Sequence, residues 1–392
     1  MGKALQNLKI LDFSTLLPGP LATMHLGDLG AEVLRVTTGT RQDILERQPP
    51  LIAENGCSAV TAQLNRNKRS ILLNLREPEA VEIVKRLIQD YDILIEQFRP
   101  GVMKRLGLDY DTLSAIQPGL IYCSITGYGH GNSMSQRAGH DINYLALGGV
   151  SGYSGTGDMA PQLTGIQIAD LAGGSCNAII GILAAVIHRM ETGKGQFIDI
   201  SMTDGVMALN AIEGAACLVT GQAPKPGAAL LNGGTIYDNY ATKDGKTVSF
   251  GGLEEKFKRE FCKRLGHDEW ADSNIEGDPA VKAEIRAIIK GKTLAEWKTL
   301  MADADCCFEP VLDLNEVFES RLARERQMVV DVPVEGGGTV RQIGSPFKFS
   351  ETPASYVHAG RAASLGETRE VLRGFSYTDA EIDGFISHGA LK

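Results

Sequence analysis

The sequence predicts an α/β fold, in which a large domain built on a parallel sheet is followed by a smaller α+β domain. The chain has 392 residues, which is more than one hydrophobic core usually organises. Strand-like and helix-like segments alternate through about the first 200 residues, a pattern typical of βαβ units. Beyond about residue 215, prolines and glycines interrupt this alternation, so a second domain is expected there.

The opening of the chain predicts a βαβ unit. Residues 10–13 indicate a first strand, an apolar-periodic helix ends near residue 29, and residues 32–36 indicate a second strand. The loop at residues 14–20 precedes that helix and is not the GxGxxG loop of dinucleotide-binding proteins. Pro18 lacks the amide donor that such a loop would offer, as does Pro20. NAD is therefore disfavoured.

The alternation then continues to about residue 200. The predicted strands are 70–75, 92–96, 120–125 and 197–200, and the predicted helices are 78–89 and a long Gly- and Ala-rich helix at 171–190. Ligands bind beyond the carboxyl ends of parallel strands. Arg99 and His140 follow two of these strands, so we expect both at that edge of the sheet.

The second domain is predicted to begin with a hairpin. Residues 236–241 and 247–250 form its strands, with Lys243-Asp244-Gly245 at the turn. The elements predicted after it are helices at 254–265, 280–289 and 294–302, a segment at 308–312, a helix through residue 324, a small β segment at 328–350 with a glycine turn, and helices at 368–372 and 378–385.

Composition narrows the possible partners and the compartment. The net charge is -9, and no basic stripe is present, so neither nucleic acid nor an anionic membrane surface is an expected partner. The most apolar run, residues 178–187, is about half the ~20 residues of a membrane span, so we expect a buried helix. Seven scattered cysteines without a CxxC pair indicate neither a disulfide framework nor a metal site. With no signal region at the start, the expected location is cytoplasmic.

His140 and Asp170 are the leading candidates for chemistry. Each lies where a glycine-flanked loop feeds a predicted helix, in the segments 137–144 and 165–170. Asp141 and Asp170 also precede apolar-periodic segments, and aspartate is a favoured N-cap residue. Each aspartate could therefore simply cap its own helix, and the lone histidine could be structural.

The alternative to capping is two-base proton transfer. A carboxylate and an imidazole on opposite faces of a carbon acid could exchange a proton, one removing it and the other returning it. Helix N-termini supply amides for a developing enolate oxygen. Arg99 and Arg105 follow a predicted strand and are candidates for binding phosphate, although both could equally belong to a solvated helix start. Glu254 and Glu255 are, on composition, more typical of a helix start than of a site.

A collinear series of motifs resembles the class III CoA-transferase superfamily, also called CaiB/BaiF. The motifs are Pro18-Gly19-Pro20, Leu26-Gly27-Asp28-Leu29-Gly30-Ala31-Glu32-Val33, Asn67-Lys68-Arg69-Ser70, Arg99-Pro100-Gly101, Arg105-Leu106-Gly107, Thr192-Gly193-Lys194-Gly195-Gln196 and Ser364-Leu365-Gly366-Glu367-Thr368. They extend over nearly the whole chain. The resemblance implies an acyl-CoA thioester as substrate and no separate cofactor.

The segment Gly139-His140-Asp141-Ile142-Asn143-Tyr144 is similar to the 2-methylacyl-CoA racemase branch of this family. In that branch the matching histidine and the later aspartate, here Asp170, form the acid/base pair, and the matching glutamate, here Glu254, hydrogen-bonds them. Transferase branches use the aspartate as a nucleophile and generally lack the histidine. They also tend to carry a glycine run where this chain has only Gly251-Gly252-Leu253.

The resemblance also implies a CoA site. The matching positions are Leu73, Asn74, Leu75, Arg76, Gln97, Phe98, Arg99, Arg105, Gly139, Asp141 and Tyr144. No metal ligands are implied. One departure is Thr38, which stands where the racemase branch has an arginine, so Arg41 is a possible substitute.

The architecture implied by the resemblance is a Rossmann-like large domain at 1–215, a small domain at 225–330, and a segment at 331–392 that returns to the large domain. Two subunits would interlock as a homodimer. The expected reaction is racemisation at C2 of a 2-methylacyl-CoA through an enolate. The alternatives are a CoA-transferase with Asp170 as nucleophile, and a non-catalytic acyl-CoA binder.

Overall fold

A computed structural model describes residues 2–40, 43–52, 56–157, 161–273 and 275–392. The chain divides into two compact units, each formed from separate stretches of sequence. Unit 1 comprises Met1–Gly148, Gly165–Ala208 and Leu322–Lys392, and unit 2 comprises Gly149–Thr164 and Leu209–Arg321. Most of the residues that the sequence singled out for chemistry therefore belong to unit 1, and Glu254 belongs to unit 2.

Unit 1 is built on a parallel sheet of six strands. The strands are β1 (Lys9–Asp12), β2 (Glu32–Thr37), β3 (Lys68–Leu72), β4 (Ile93–Glu96), β5 (Ile121–Thr126) and β6 (Gln196–Ser201). Their order is β3-β2-β1-β4-β5-β6, and every neighbouring pair is parallel. The predicted α/β fold with a parallel sheet is confirmed. The strand order changes direction between β1 and β4, where a crevice for ligands is expected at the carboxyl ends.

The helices of this part of unit 1 connect the strands. They are α1 (Pro18–Asp28), α2 (Ala59–Leu64), α3 (Pro78–Leu87), α4 (Val102–Arg105), α5 (Tyr110–Ile116), α6 (Asp141–Leu147), a π-helical segment (Ala169–Cys176), α7 (Asn177–Thr192) and α8 (Met202–Leu209). The segment 14–20 is only partly a loop, because α1 already begins at Pro18. Pro18 and Pro20 lie in its first turn, where a missing amide breaks no intrahelical hydrogen bond.

The long helix predicted at 171–190 is buried on one side only. Ala178, Ile182 and Ala185 of α7 are buried, whereas Ile187 and Met190 are 61% and 80% exposed. The expectation of a buried helix was therefore wrong for one face. The continuous helical stretch Ala169–Thr192 is long and apolar enough to cross a membrane by length and composition, and α8 with the helix after it passes the same test as a bent pair. Core helices of soluble proteins meet these criteria too.

Unit 2 is the smaller α+β unit. Its elements are α9 (Glu213–Thr220), β7 (Asp238–Ala241), β8 (Thr247–Phe250), α10 (Glu255–Leu265), α11 (Pro279–Lys290), α12 (Leu294–Leu300), β9 (Phe308–Pro310) and α13 (Leu314–Phe318). The predicted hairpin is present, with β8 between β7 and β9 in an antiparallel sheet. Its core holds the stacked rings of Phe250 and Phe261 beside the fully buried Trp297.

The last part of the chain packs on unit 1. It contains α14 (Arg321–Glu325), a hairpin of β10 (Val329–Pro333) and β11 (Thr339–Ile343), α15 (Leu365–Gly374) and α16 (Asp379–Ser387). Leu372 and Ile382 are fully buried in the same core as the sheet residues Leu11 and Leu94. Thr368 Oγ1 accepts a hydrogen bond of 3.0 Å from Leu72 N, so α15 lies against the end of β3.

Two ion pairs are buried in unit 1. The Asp12 carboxylate lies 3.3 Å from Lys68 Nζ, and the Asp28 carboxylate receives two bonds from Arg66, of 2.8 and 2.6 Å. Burial is the main cause that lowers the pKa of Lys68 to about 8. Both pairs join β3 or the residues before it to the first βα unit. The motif at residues 67–70 therefore has a structural role.

Candidate functional site

His140 lies at the N-terminus of α6, beyond the carboxyl end of β5. His140 is the N-cap residue, its backbone amide donates to Asn143 Oδ1 at 3.0 Å, and its side chain is exposed. Gly139 is packed too tightly for a side chain, since an added Cβ would lie 2.6 Å from Tyr128 Oη and from the Tyr144 ring. The glycine before the histidine therefore allows the loop to lie against two tyrosines.

Asp141 joins the two loops that carry His140 and Asp170. Its Oδ1 accepts hydrogen bonds from Ala169 N at 2.7 Å and from Asp170 N at 3.2 Å. Asp141 is the first residue of α6 and Asp170 the second residue of the π-helical segment, so neither is the N-cap of its own helix. The interpretation that each aspartate caps its own helix was therefore wrong. Asp141 caps the helical segment that contains Asp170 through a bond from Ala169 N, 28 residues later in the chain.

Asp170 is a partly buried carboxyl, and none of the described residues places a cation at bonding distance from it. Its pKa is raised to about 6, mainly by burial and in addition by the negative charge of Asp141, and the charge of His140 opposes the rise. The charge of His140 therefore acts on the Asp170 carboxyl. Within the part of the chain that the structure describes, no hydrogen bond to the Asp170 carboxylate is found.

A π-helical segment holds Asp170 in place. Single-turn departures from α-helix of this type are frequent at functional sites. Ser175 Oγ, which is fully buried, lies 2.6 Å from Pro18 O and 3.2 Å from Asp170 O. An added Cβ on Gly174 would lie 2.8 Å from Pro18 Cβ. The segment is thus fixed against the start of α1, and the small residues predicted to allow close backbone packing do so.

Tyr144 is buried against Gly139 and Tyr128. Its hydroxyl donates to Gly139 O at 2.6 Å, and its ring meets that of Tyr128 edge to face at 5.3 Å. The pKa of Tyr144 is raised to about 12, mainly by burial and in addition by the Asp170 charge, and the Arg99 charge opposes this rise. Arg99 and Asp170 therefore both act on the same phenol.

The residues after β3 are mostly covered by protein. Leu73 is 1% exposed and belongs to the core, and Asn74 donates through Nδ2 to Gly389 O at 3.2 Å and through its amide to Ala390 O at 2.8 Å. Leu75 is half-buried, whereas Arg76 is exposed. Arg76 is consequently the member of this group whose side chain is available to an anionic ligand.

The residues after β4 lie at the change in strand order. Gln97 Oε1 accepts from Gly19 N at 3.0 Å, which ties this turn to the start of α1. Phe98 is half-buried, and Arg99 is exposed, as is Arg105 at the end of α4. Gln136 Nε2 donates to Pro100 O at 2.9 Å, so the loop that leads to His140 also contacts this turn.

Thr38 makes a polar contact with the end of the chain. Its Oγ1 donates to Lys392 O at 2.9 Å. The possible substitute Arg41 lies outside the described residues. Glu254 is the N-cap residue of α10 in unit 2, exposed and without a side-chain capping bond, and its charge contributes to the raised pKa of Cys307. Its helix-start position agrees with the composition, and its predicted catalytic role stays a prediction.

Several polar residues that support the site were not singled out from the sequence. Glu96 at the end of β4 accepts from Phe98 N at 2.7 Å, and Ser175 holds the Asp170 backbone. The signal for Glu96 and for Ser124 of β5 was available, because both interrupt otherwise apolar buried strands. Nothing local in the sequence indicated Ser175 or Gln136, whose partners are far along the chain.

Comparisons with known proteins show the family of the chain. The family described as CoA-transferase family III matches residues 5–367. The chain is 36% identical to the alpha-methylacyl-CoA racemase of Homo sapiens over 97% of this chain and 95% of that protein. It is 31% identical to the succinyl-CoA:glutarate CoA-transferase of Mus musculus over 100% of this chain and 91% of that protein.

A solved structure shares the fold. The crystal structure of a CaiB/BaiF family protein from Brucella suis superposes with a TM-score of 0.84 at 27% identity, covering 96% of this chain and 100% of that one. The named relatives include both racemases and CoA-transferases. On the extent of these matches, the chain belongs to the CoA-transferase family III.

Proposed function

We propose that this family III enzyme is a racemase of 2-methylacyl-CoA thioesters. The observation that supports the proposal is that the loops carrying His140 and Asp170 are joined by hydrogen bonds from Ala169 N and Asp170 N to Asp141 Oδ1. One of the two removes the proton at C2, which leaves a thioester enolate, and the other returns a proton to the opposite face of the same carbon. Atoms and charge balance without an oxidant, and the proposed chemistry uses no cofactor beyond the CoA of the substrate.

The protonation equilibrium of Asp170 suits this reaction. With its pKa raised to about 6, Asp170 is a stronger base than an ordinary aspartate and is still ionised at neutral pH. A general base works best when its pKa lies near the operating pH. The exposed His140 imidazole can serve as the partner acid.

The enolate oxygen would be stabilised at the start of α6. Asp141 and Ile142 carry the first backbone amides of that helix, and such amides have no intrahelical acceptor. The amides of Ala169 and Asp170 are already bound to Asp141 Oδ1, so they are occupied. Arg76, Arg99 and Arg105 would bind the phosphates of CoA.

A CoA-transferase is the second candidate. In that mechanism Asp170 attacks the thioester, the C–S bond breaks, and CoA leaves as the thiolate while an acyl anhydride forms on the carboxylate. The named relatives at 31–32% identity support it, since they include succinyl-CoA:glutarate CoA-transferases. The racemase is favoured because His140 has no task in the transfer mechanism.

The deciding experiment measures isotope exchange and CoA transfer on the same enzyme. The protein is incubated with (R)-2-methylacyl-CoA in deuterium oxide, and in parallel with succinyl-CoA and glutarate. We expect deuterium at C2 with inversion, its loss in His140→Ala, and its retention in His388→Ala, an exposed histidine of the same unit. If glutaryl-CoA forms in His140→Ala at the wild-type rate and C2 stays protonated, the enzyme is a transferase.

We also infer that the chain works as a homodimer. Ile180, Ile187 and Met190 on α7 are 65%, 61% and 80% exposed, an apolar helix face that is unusual for a monomer in water. Ile187→Asp should lower the molecular mass measured by light scattering from that of two chains to that of one. An unchanged dimer in this variant, or a wild-type monomer at micromolar concentration, would contradict the inference.

A further inference from the structure

Three polar side chains from neighbouring strands lie in one row across unit 1. Glu96 of β4 pairs in register with Ser124 of β5, and Ser124 pairs with Asp199 of β6. Residues opposite each other on parallel strands project to the same face of a sheet. A fourth residue, His130, follows β5 and returns to this row.

Hydrogen bonds connect the row to the turn after β4. Glu96 Oε2 accepts from Phe98 N at 2.7 Å, and the Glu96 carboxyl also bonds to the Ser124 side chain. Ser124 Oγ lies 2.9 Å from His130 Nε2, and His130 N donates to Asp199 Oδ2 at 2.9 Å. The ring of Phe197 meets the imidazole edge to face at 5.3 Å.

The combination resembles a nucleophilic serine with its base, but burial excludes that role. Ser124 is 0% exposed and Glu96 is 4% exposed, so no substrate carbonyl can reach the hydroxyl. His130, which is half-buried, and the turn at residues 97–99 reach the surface. The buried side chains of Glu96 and Ser124 therefore connect an accessible imidazole to that turn.

The hydrogens of this chain can be arranged in two ways. The Ser124 hydroxyl has one proton, which it donates either to Glu96 or to His130 Nε2. If Glu96 is a carboxylate, Ser124 donates to it and His130 must donate through Nε2. If Glu96 is protonated, it can donate to Ser124, which then donates to an unprotonated Nε2. Protonation of Glu96 and the tautomer of His130 are thus linked.

The geometry points to Glu96 as a positioning residue that makes CoA binding depend on the protonation of a buried hydrogen-bond chain, Glu96–Ser124–His130. The inference rests on the proposed function in one respect, because it takes the turn at residues 97–99 as part of the CoA site. A hydrogen bond from Phe98 N to a carboxylate is roughly twice as strong as one to a neutral carboxyl. The charged form of Glu96 therefore holds the turn that carries Arg99 more firmly.

The surroundings of Glu96 favour titration near neutral pH. Its pKa is raised to about 7, mainly by burial and in addition by the Asp199 charge, while the hydrogen bonds from Ser124 and Phe98 oppose the rise. Tyr122 lies on the same face of β5 as Ser124 and Cys123 on the opposite face, and burial and the Glu96 charge raise the pKa of both. None of these neighbours is a cation, and His130 makes contact only through Ser124.

The test is the affinity of dephospho-CoA, measured by calorimetry from about pH 6 to about pH 8.5. This ligand lacks the phosphomonoester, whose own titration near pH 6 would obscure the result. We expect wild-type affinity to fall about three- to tenfold toward the acidic end, as the Phe98 anchor weakens. Glu96→Gln, a neutral isostere, should show the weaker affinity at every pH. Glu370→Gln, an exposed carboxylate on α15, should behave as wild type.

Two further measurements keep the test decisive. Glu96→Gln should melt at a higher temperature than wild type above about pH 7, because it removes a buried charge, so weak binding cannot be attributed to unfolding. The tautomer ratio of neutral His130, read from its ¹⁵N shifts, should change over the pH range in which binding changes in wild type, and it should stay constant in Ser124→Ala. If the affinity for dephospho-CoA depends on pH equally in wild type and in Glu96→Gln, this inference is overturned and the proposed function is unaffected. Failure of wild type to bind any form of CoA would overturn the proposed function with it.

Discussion

Asp12 and Asp170 are two buried or partly buried carboxylates of unit 1, and they differ in how their charge is satisfied. Asp12 accepts from Ser14 N at 2.9 Å and Thr23 Oγ1 at 2.5 Å, bonds to Ser14 Oγ, and lies 3.3 Å from Lys68 Nζ. Around Asp170 the backbone is fixed while the carboxylate is left without a bonded partner among the described residues. A carboxylate whose oxygens all have bonding partners stabilises the fold, and a carboxylate without such partners is available to react.

The largest expected effect is on catalysis by Asp170→Asn. Loss of a general base typically reduces the rate by a factor of about 10²–10⁴, so C2 exchange should fall by about three orders of magnitude. Since the amide is nearly the same size, the melting temperature should not fall. Exchange at more than a tenth of the wild-type rate would show that Asp170 is not one of the two bases.

The second effect is on stability, in Asp12→Asn. This change leaves the buried Lys68 ammonium without its counter-charge, and breaking a buried pair by removing one partner costs about 3–5 kcal/mol. Urea denaturation should show the loss. The double variant Asp12→Asn/Lys68→Met should recover much of it, and equal instability in the single and double variants would contradict the assigned role.

The third effect is the pH dependence of stability at Asp170. Its pKa in the folded state, about 6, is above the ordinary aspartate value of 3.8, so its contribution is fully present below about pH 4 and is lost as pH rises through 6. Asp170→Asn should therefore exceed wild type in unfolding free energy at pH 8, by about 1–2 kcal/mol after solvent screening of a partly exposed group. The difference should vanish near pH 4, and a constant difference would contradict this assignment.

The smallest effect is expected for Asp141→Asn. The amide can still accept from Ala169 N, but its neutral oxygen does so less strongly, and the charge that raises the pKa of Asp170 is removed. We expect kcat to fall about tenfold and the acidic limb of the pH–rate profile to move to lower pH. A profile that keeps its wild-type inflection would show that Asp141 does not act on Asp170 electrostatically.

The sheet was predictable from sequence because most of its strands are buried, although β6 at the edge is largely exposed. Residues 10–13, 32–36, 92–96 and 197–200 are short apolar runs between turn signals, and each overlaps an observed strand within one or two residues. Apolar runs of this kind report burial directly. The order of the strands in the sheet and the packing of the C-terminal segment on unit 1 depend on contacts between residues far apart in the chain. The periodicity of apolar residues does not reveal such contacts.

The candidate site was only partly predictable for the same reason. Local patterns located His140 and Asp170, but suggested that each aspartate capped its own helix. The observed bond from Ala169 N to Asp141 joins residues 28 positions apart. The exposed face of α7 was likewise not foreseen, since an apolar helix in sequence does not say what covers each side.

The π-helical segment Ala169–Cys176 sets the angular position of Asp170 relative to α7. A π turn contains one residue more than an α turn, and each residue of an α-helix turns the chain by about 100°. Deleting a single residue from this segment would let a continuous α-helix form and would turn the aspartate by about that angle away from the imidazole. The geometry of the proposed acid/base pair thus depends on a one-residue insertion, which a lineage could gain or lose in one step without altering the sheet.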